Sequence, residues 1–297
     1  MNYVINLDKP KGITSQQAVT KVKKILGVRK AGHAGTLDPL ATGLLIVCTG
    51  EATKITRFLT DLDKEYAALV KLGEKTNTFD SEGDVVSREE GFSFSREEIE
   101  EVLKRFRGAI RQTPPMFSAV KVNGSPLYKL ARKGLEIERP EREITIQSLE
   151  LTAYSPPFFE IRVLCSKGTY IRTLCNDIGD SLRVGAHVAG LGRTRTGNFS
   201  IENAISLDGL EELVKASDSN TLVHKAVLSP DAALTHMTEV VLSQSDYKKA
   251  CNGIQVICPE ALSIKEKYVR LKSPSGEFFG VGRLSHGSLR VERMLHL

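Results

Sequence analysis

The sequence predicts an α+β protein with a small β-barrel at its C-terminal end. Three observations predict it. Strand-length runs are interspersed with amphipathic helices as far as about residue 214. A Ser229-Pro230-Asp231 break follows, and the runs beyond it are short, β-like and separated by Gly and Ser turns. At 297 residues the chain also has room for one large domain and a small one. We place them at 1–232 and 233–297.

Tyr3-Val4-Ile5-Asn6-Leu7 reads as a first strand. Lys9-Pro10-Lys11-Gly12-Ile13-Thr14-Ser15 is a turn ending at a helix N-cap, and the helix runs from Gln16 to Leu26, with Gly27 as its stop. An apolar strand-like run, Leu44-Leu45-Ile46-Val47-Cys48, follows the loop at 32–43, and a short helix fits Glu51 to Leu59. From Lys64 to Gly73 the chain suits a strand, because Tyr66, Ala68, Val70 and Leu72 share one face by the period-two rule. Residues 76–84 form a polar loop. Ser95-Arg96-Glu97-Glu98 is a capping box before a helix that carries Ile99, Val102, Leu103 and Phe106 on one stripe. Two strands are expected at Ile144–Leu151 and Phe158–Cys165. Thr169 is the expected cap of a helix that buries Ile171, Leu174, Cys175, Ile178 and Leu182, with Tyr170 and Arg172 flanking that stripe in the first turn, beside the core rather than in it. Gly179-Asp180-Ser181-Leu182 spells a hydrolase-like string, but it falls late, at a helix end, without the preceding strand a nucleophilic serine needs. A last amphipathic helix covers Ile205 to Val214, and the C-terminal β runs lie at 240–242, 268–271, 278–282 and 289–291.

Composition narrows the class. Charged residues are 26% and hydrophobic residues 41%, as in ordinary soluble globular proteins. Lys and Arg number 41 against 36 Asp and Glu, a surplus of +5 that permits an anionic partner without demanding one. The five cysteines are scattered with no Cys-x-x-Cys pair, which reads as reduced thiols in a cytoplasmic protein and offers no zinc site. The N-terminus lacks a signal-peptide layout and no apolar run reaches membrane-spanning length.

One stretch reads unlike the rest: Gly32-His33-Ala34-Gly35-Thr36-Leu37-Asp38-Pro39-Leu40-Ala41-Thr42-Gly43. Three glycines and a proline bracket a single carboxylate. Asp38 precedes a proline and is biased towards an extended backbone. By composition alone such a cluster is a plain turn; a carboxylate fixed in a mainly apolar loop is also a candidate catalytic group. A second unusual stretch is basic. From Lys121 to Arg142 there are six basic residues against three acidic, with Pro, Gly and Tyr128 interleaved. It reads either as a solvated connection or as an arm that closes on a phosphate backbone.

The 32–43 string closely resembles the catalytic loop of the TruB family of bacterial tRNA pseudouridine-55 synthases. Further segments resemble the same family in the same order: Lys9-Pro10-Lys11-Gly12-Ile13-Thr14-Ser15, Lys64-Glu65-Tyr66, Pro114-Pro115 through Lys121, Leu127-Tyr128 through Gly134, Gly168-Thr169-Tyr170-Ile171-Arg172, and Gly185-Ala186-His187 followed by Leu191. The run after Leu191 departs from the pattern, since Gly192 stands where an arginine is usual. The resemblance implies a mixed, largely antiparallel central sheet flanked by helices, an RNA-gripping insertion at about 109–143, and a C-terminal PUA-like barrel.

It also implies an isomerase that converts a uridine of the tRNA T loop, at position 55, to pseudouridine by base flipping. Asp38 is then the nucleophile, attacking the base or C1′ or stabilising a glycal. Arg172 keeps Asp38 ionised, and Tyr66 stacks on the uracil. Tyr170 and Leu191 shape the pocket, and His33 occupies the space the flipped base leaves. Lys121, Lys129, Arg132, Arg193 and Arg195 are candidates for the RNA backbone; His187 reads as structural. No cofactor, metal or protein partner is expected, and the chain is expected to be a monomer. Two other readings stand beside this one, a guide-RNA-dependent synthase that shares the Asp loop and an RNA-binding or RNA-folding protein without essential catalysis.

Overall fold

The computed structural model describes every residue except 119, 123, 132, 218–221, 259–263 and 265. The chain opens with β1 (Val4–Lys9), α1 (Ser15–Leu26), β2 (Ala31–Ala34) and β3 (Thr42–Thr49). A 3-10 turn at Gly50–Ile55 runs into α2 (Thr56–Thr60) and then β4 (Lys64–Leu72). The hairpin β5 (Glu74–Thr76) and β6 (Val85–Arg88), α3 (Arg96–Lys104) and β7 (Gly108–Gln112) come next. The basic stretch holds β8 (Lys121–Val122), β9 (Ser125–Pro126) and α4 (Leu127–Ala131). β10 (Arg142–Ser155), β11 (Phe158–Cys165), α5 (Ile171–Ser181) and β12 (Ala186–Thr196) follow. The last third contains β13 (Phe199–Ser200), α6 (Leu207–Ala216), β14 (Val227–Leu228), β15 (Glu239–Val241), α7 (Gln244–Cys251), β16 (Val256–Ile257), β17 (Tyr268–Lys272), β18 (Phe278–Ser285) and β19 (Ser288–Met294).

The chain folds as two compact units. The first comprises Met1–Asp38, Leu44–Asp61 and Asn198–Leu297. In it, β14 and β1 pair antiparallel, β3 lies beyond β1, and β2 pairs antiparallel with β3, His33 standing opposite Val47. The unbroken apolar run of β3 is explained by burial on both faces, since Leu44 to Cys48 are all fully buried. The cap of α1 is Thr14, one residue earlier than expected. Its hydroxyl accepts from the Gln17 N–H at 3.1 Å and the Gln17 side chain accepts from the Thr14 N–H at 2.7 Å. Gly27 ends the helix in the left-handed region at φ 63°.

The C-terminal part of this unit is a sheet ordered β15, β17, β18, β19, β16, antiparallel except for the parallel pair β15 and β17. It forms the PUA-like element. Its core is built on Val269, Leu271, Phe279 and Leu289, and α7, which sequence periodicity did not reveal, adds Ala250 and sets Tyr247 edge-on to Phe279 at 4.9 Å. The same sheet touches the segment before β4. Arg57 reaches Glu292 and the Tyr268 hydroxyl, both at 2.8 Å, while the Phe58 and Tyr268 rings meet at 5.1 Å.

The second unit comprises Pro39–Gly43 and Leu62–Gly197. Its strands are ordered β12, β4, β11, β10, β7, and every pair in that run is antiparallel. Thr42 and Gly43, the first residues of β3, pair parallel with Gly192 and Arg193 of β12. β4 alternates as the period-two rule requires, with Lys64, Tyr66, Ala68, Val70 and Leu72 buried. Residues Ala186–Thr196 form the eleven-residue strand β12, and the polar loop expected at 76–84 joins the two strands of the hairpin β5–β6. The cap position of α5 is Tyr170; the Thr169 hydroxyl instead donates to the Ser166 carbonyl at 2.9 Å.

Candidate active site

The loop around Asp38 is held by a serine. Ser15, the first residue of α1, donates its hydroxyl to the Leu37 carbonyl at 3.0 Å and accepts from the Leu37 N–H at 2.8 Å. Both groups are buried, so each bond removes a desolvation cost that the loop backbone would otherwise carry. Leu37 is buried, Thr36 exposed and Asp38 half-buried. Gly35 takes φ 92°, a conformation that strains other residues. His33 lies half-buried on β2. The second unit begins at Pro39, directly after the carboxylate.

In the second unit, Tyr66 is 8% exposed on β4. Its cross-strand neighbours are Val163 on β11 and Arg193 on β12. Arg193 in turn pairs with Gly43. Gly43 has φ 94°, and a Cβ there would collide with the Arg193 carbonyl, so only glycine fits the end of the loop. Leu191 is half-buried two residues earlier, its carbonyl accepting from the Thr42 hydroxyl at 3.5 Å.

Arg172 lies in the core rather than beside it, at 4% exposure. Its guanidinium donates to Asp80 Oδ2 at 3.2 Å, the Thr78 carbonyl at 3.0 Å and the Phe117 carbonyl at 2.7 Å. Asp80 is 3% exposed and is itself fixed. The Thr78 hydroxyl donates to its Oδ1 at 2.6 Å and the Glu82 N–H at 3.1 Å. The loop that presents it is stitched to β12: Val188 N–H donates to the Phe79 carbonyl at 3.0 Å and Ser81 N–H to the Val188 carbonyl at 2.9 Å. Phe79 sits at φ 63°, an uncommon conformation for a residue with a side chain. Sequence reasoning missed Asp80. The available signal was an aspartate with Thr78 and Ser81 close by in a polar loop that also holds Glu82 and Asp84.

Tyr170 is positioned through its backbone, its N–H donating to Gln112 Oε1 at 2.8 Å and its carbonyl accepting from Gln112 Nε2 at 3.0 Å. This glutamine, buried at the end of β7, is a second supporting residue the sequence did not single out. His187 is buried with its Nδ1 3.0 Å from the Glu74 carbonyl, a structural setting.

The expected phosphate contacts divide. Arg193 is 1% exposed and does not lie on the surface a backbone contact requires. Arg195 is exposed and 3.4 Å from Glu65 Oε2. Lys129 is exposed on α4. Lys121 begins β8, and Arg132 lies outside the described residues. Within the same stretch, Arg139 is tied to Glu136 at 3.2 Å. No cluster of three or more His, Cys, Asp or Glu able to hold a metal occurs among the described residues, and no helix among them is long and apolar enough to cross a membrane. Burial pushes the Cys48 thiol up to about 12 and Cys165 to about 11, so neither is a nucleophile near neutral pH.

The arrangement offers one loop-borne carboxylate, a buried arginine with a dedicated anion, and a buried tyrosine next to a buried arginine. Comparison with known proteins is consistent across the chain. Residues 23–171 match the N-terminal domain of the TruB family pseudouridylate synthases, residues 172–235 the tRNA pseudouridylate synthase B C-terminal domain, and residues 238–295 the C-terminal region of pseudouridine synthase II TruB. A tRNA pseudouridine synthase B of Azoarcus sp. (strain BH72) is 46% identical over 293 residues, covering 98% of this chain and 94% of its own. Proteins of the same name from Pseudomonas aeruginosa (strain UCBPP-PA14) and Legionella pneumophila (strain Corby) are 43% and 42% identical, each covering 98% of this chain and 95% of its own. Among solved structures, a chain of a Cbf5-Nop10-Gar1 complex superposes with a TM-score of 0.77 at 29% identity, over 98% of this chain and 84% of that one. A chain of an H/ACA RNP bound to a substrate RNA containing 2′-deoxyuridine gives 0.75 at 27%, over 99% and 85%.

Proposed function

Since the chain belongs to the TruB family of pseudouridylate synthases, and is thus an isomerase, we propose that it converts uridine 55 in the T loop of tRNA to pseudouridine. The reaction breaks the N1–C1′ bond, turns the uracil and rejoins it through C5. It consumes no oxidant, water or group donor. The observation that carries the reading is Asp38, the single carboxylate of a loop whose backbone is clasped by Ser15 and closed by an obligatory Gly43.

Asp38 acts as the nucleophile. Arg172, whose guanidinium Asp80 anchors, keeps the nucleophile ionised. A stacked base is out of reach, so the uridine is flipped out of the loop, at a low cost in single-stranded RNA. Tyr66 stacks on the flipped uracil, Tyr170 and Leu191 wall the pocket, and His33 fills the vacated place. Residues 1–232 do the chemistry, with 109–143 gripping the T arm, and 233–297 add RNA affinity. A guide-RNA-dependent role is the less favoured reading, because the relatives at 42–46% identity are named tRNA pseudouridine synthase B, while the chain from a Cbf5-Nop10-Gar1 complex stands at 29%.

The test is release of the C5 hydrogen from labelled, unmodified tRNA transcript with no other protein or RNA present. Wild-type protein is expected to release it and Asp38→Asn is not, while tRNA binding persists. Normal turnover by Asp38→Asn overturns the assignment, and a requirement for added guide RNA moves the chain to the second reading.

A further inference from the structure

The largest imbalance of charge in this chain lies outside the basic arm. Between Lys9 and Leu37 there are seven Lys and Arg and no Asp or Glu. Seven exceeds the whole chain's surplus of five, so the remainder of the sequence is net acidic. By contrast, the arm from Lys121 to Arg142 sets three acids against its six bases, and Arg139 is already paired with Glu136.

The seven cations are not equivalent. Lys9 is fully buried and donates to the Pro10 and Ile13 carbonyls. Lys21 and Lys24 line a groove between α1 and α6 opposite Asp208 and Glu211, and Lys24 contributes to holding the Glu211 carboxyl low, after the larger effect of Lys215. That leaves Lys11, Lys23, Arg29 and Lys30. Lys11, Arg29 and Lys30 are exposed and Lys23 is half-exposed. Among the described residues, none of the four is in an ion pair. The helix dipole accounts for Lys23 in the last turn of α1, but not for Lys11 before the helix or Arg29 and Lys30 beyond it. These positions bracket the elements that hold the Asp38 loop. Lys11 precedes α1, whose Ser15 clasps Leu37, and Arg29 and Lys30 lead straight into β2 with His33. The helix between them is about 18 Å long, the span of several phosphates.

We infer that Lys11, Lys23, Arg29 and Lys30 form a phosphate-binding track for RNA lying outside the loop that carries the target uridine. The inference rests on the reading of this chain as an RNA-modifying enzyme, and extends it to a surface that takes no part in the chemistry. Four unpaired cations on one short segment, with no acid among them, suit a polyanion backbone. They read no sequence; they supply affinity through counterion release.

The experiment measures binding of labelled full-length tRNA transcript across a salt series, for wild-type protein and for Lys23→Ala/Arg29→Ala/Lys30→Ala, with Lys11→Ala alone as a second variant. The triple variant should make the slope of log K against log salt shallower by about 2–3, and Lys11→Ala by up to about 1. The single-turnover rate at saturating enzyme should stay at the wild-type value, and thermal melts should differ by no more than the small helix-dipole contribution of Lys23. On a short stem–loop cut from the same tRNA, variant and wild type should converge. An unchanged slope on full-length tRNA overturns the inference, as does a slope loss that persists undiminished on the stem–loop. The binding slope is independent of turnover. A protein that binds with the predicted slopes but leaves uridine unchanged refutes the proposed function and keeps the track; normal turnover with unchanged slopes does the reverse.

Discussion

At the residue scale, the pair Arg172–Asp80 is the most exposed to test. Both groups are buried, and removing Asp80 takes a bonded carboxylate away from a guanidinium in a low-dielectric interior. Asp80→Ala should therefore lose about 3–5 kcal/mol of stability in denaturant unfolding. Its turnover should fall as far as that of Arg172→Lys, whose ammonium lacks the planar fork that reaches Asp80, Thr78 and Phe117 together. Wild-type turnover in Asp80→Ala would show that Asp80 does not hold Arg172 in place. The cysteines give a second check. Cys48, Cys165, Cys175 and Cys258 are buried, the first three with thiols raised by desolvation, and Cys251 alone among the five is exposed. A thiol reagent at pH 8 should modify a single site, Cys251, in the native protein and leave turnover intact. Mass spectrometry of the labelled protein reads this directly.

At the scale of elements, the N-terminus of α1 does two jobs with adjacent residues. Thr14 caps the helix and Ser15 clasps the loop. Thr14→Ala should cost about 1 kcal/mol of stability with little effect on rate, as cap losses do. Ser15→Ala should cost a similar amount through two lost hydrogen bonds, but should also lower kcat, because the backbone next to Asp38 loses its anchor. Equal rates for the two variants would separate the clasp from catalysis. The parallel contact of β3 with β12 gives an opposite case. Gly43 cannot accept a Cβ, whereas at Gly192 a Cβ would stand 3.6 Å from the Thr42 hydroxyl, an ordinary contact. Gly192→Ala should leave stability unchanged or raise it by about 0.5 kcal/mol in a thermal melt, since glycine in a strand interior carries an entropic penalty. Nothing in the structure explains why glycine stands there.

At the scale of the molecule, the first unit collects residues from both ends of the chain. Its C-terminal sheet meets the α2 segment through Arg57, which faces Glu292, the Tyr268 hydroxyl and the Phe58 ring. Lys54 adds a bond to the Met294 carbonyl at 2.9 Å, and the His296 N–H donates to Glu51 at 3.0 Å. These groups are partly exposed, so the contact is worth little per bond. Arg57→Ala should lower stability by about 1–2 kcal/mol, near the sum of one exposed ion pair and two exposed cation–π contacts, with Phe58 and Tyr268. The loss should shrink at high salt, where the ion-pair part is screened. A loss that does not shrink at high salt would show that the contacts of Arg57 with the Phe58 and Tyr268 rings outweigh its ion pair with Glu292.

What the chain's order alone determined is its local physics. Period-two spacing marked β4, a continuous apolar run marked β3, and the turn ending at Ser15 and the capping box at Ser95 set two helix starts to within a residue. The loop motif singled out Asp38, because its glycines and proline constrain the backbone whatever surrounds them. Tertiary structure decided what no local rule reaches. β12 carries Gly190 and Gly192, poor strand formers, and keeps its full length to Thr196 because β4 and the start of β3 pair with it on either side. Arg172 reads as a surface residue of an amphipathic helix, yet it is buried, because its compensating carboxylate comes from Asp80, 92 positions earlier in a loop. A charge can leave water only where its partner waits, and that pairing is a property of the fold rather than of either segment.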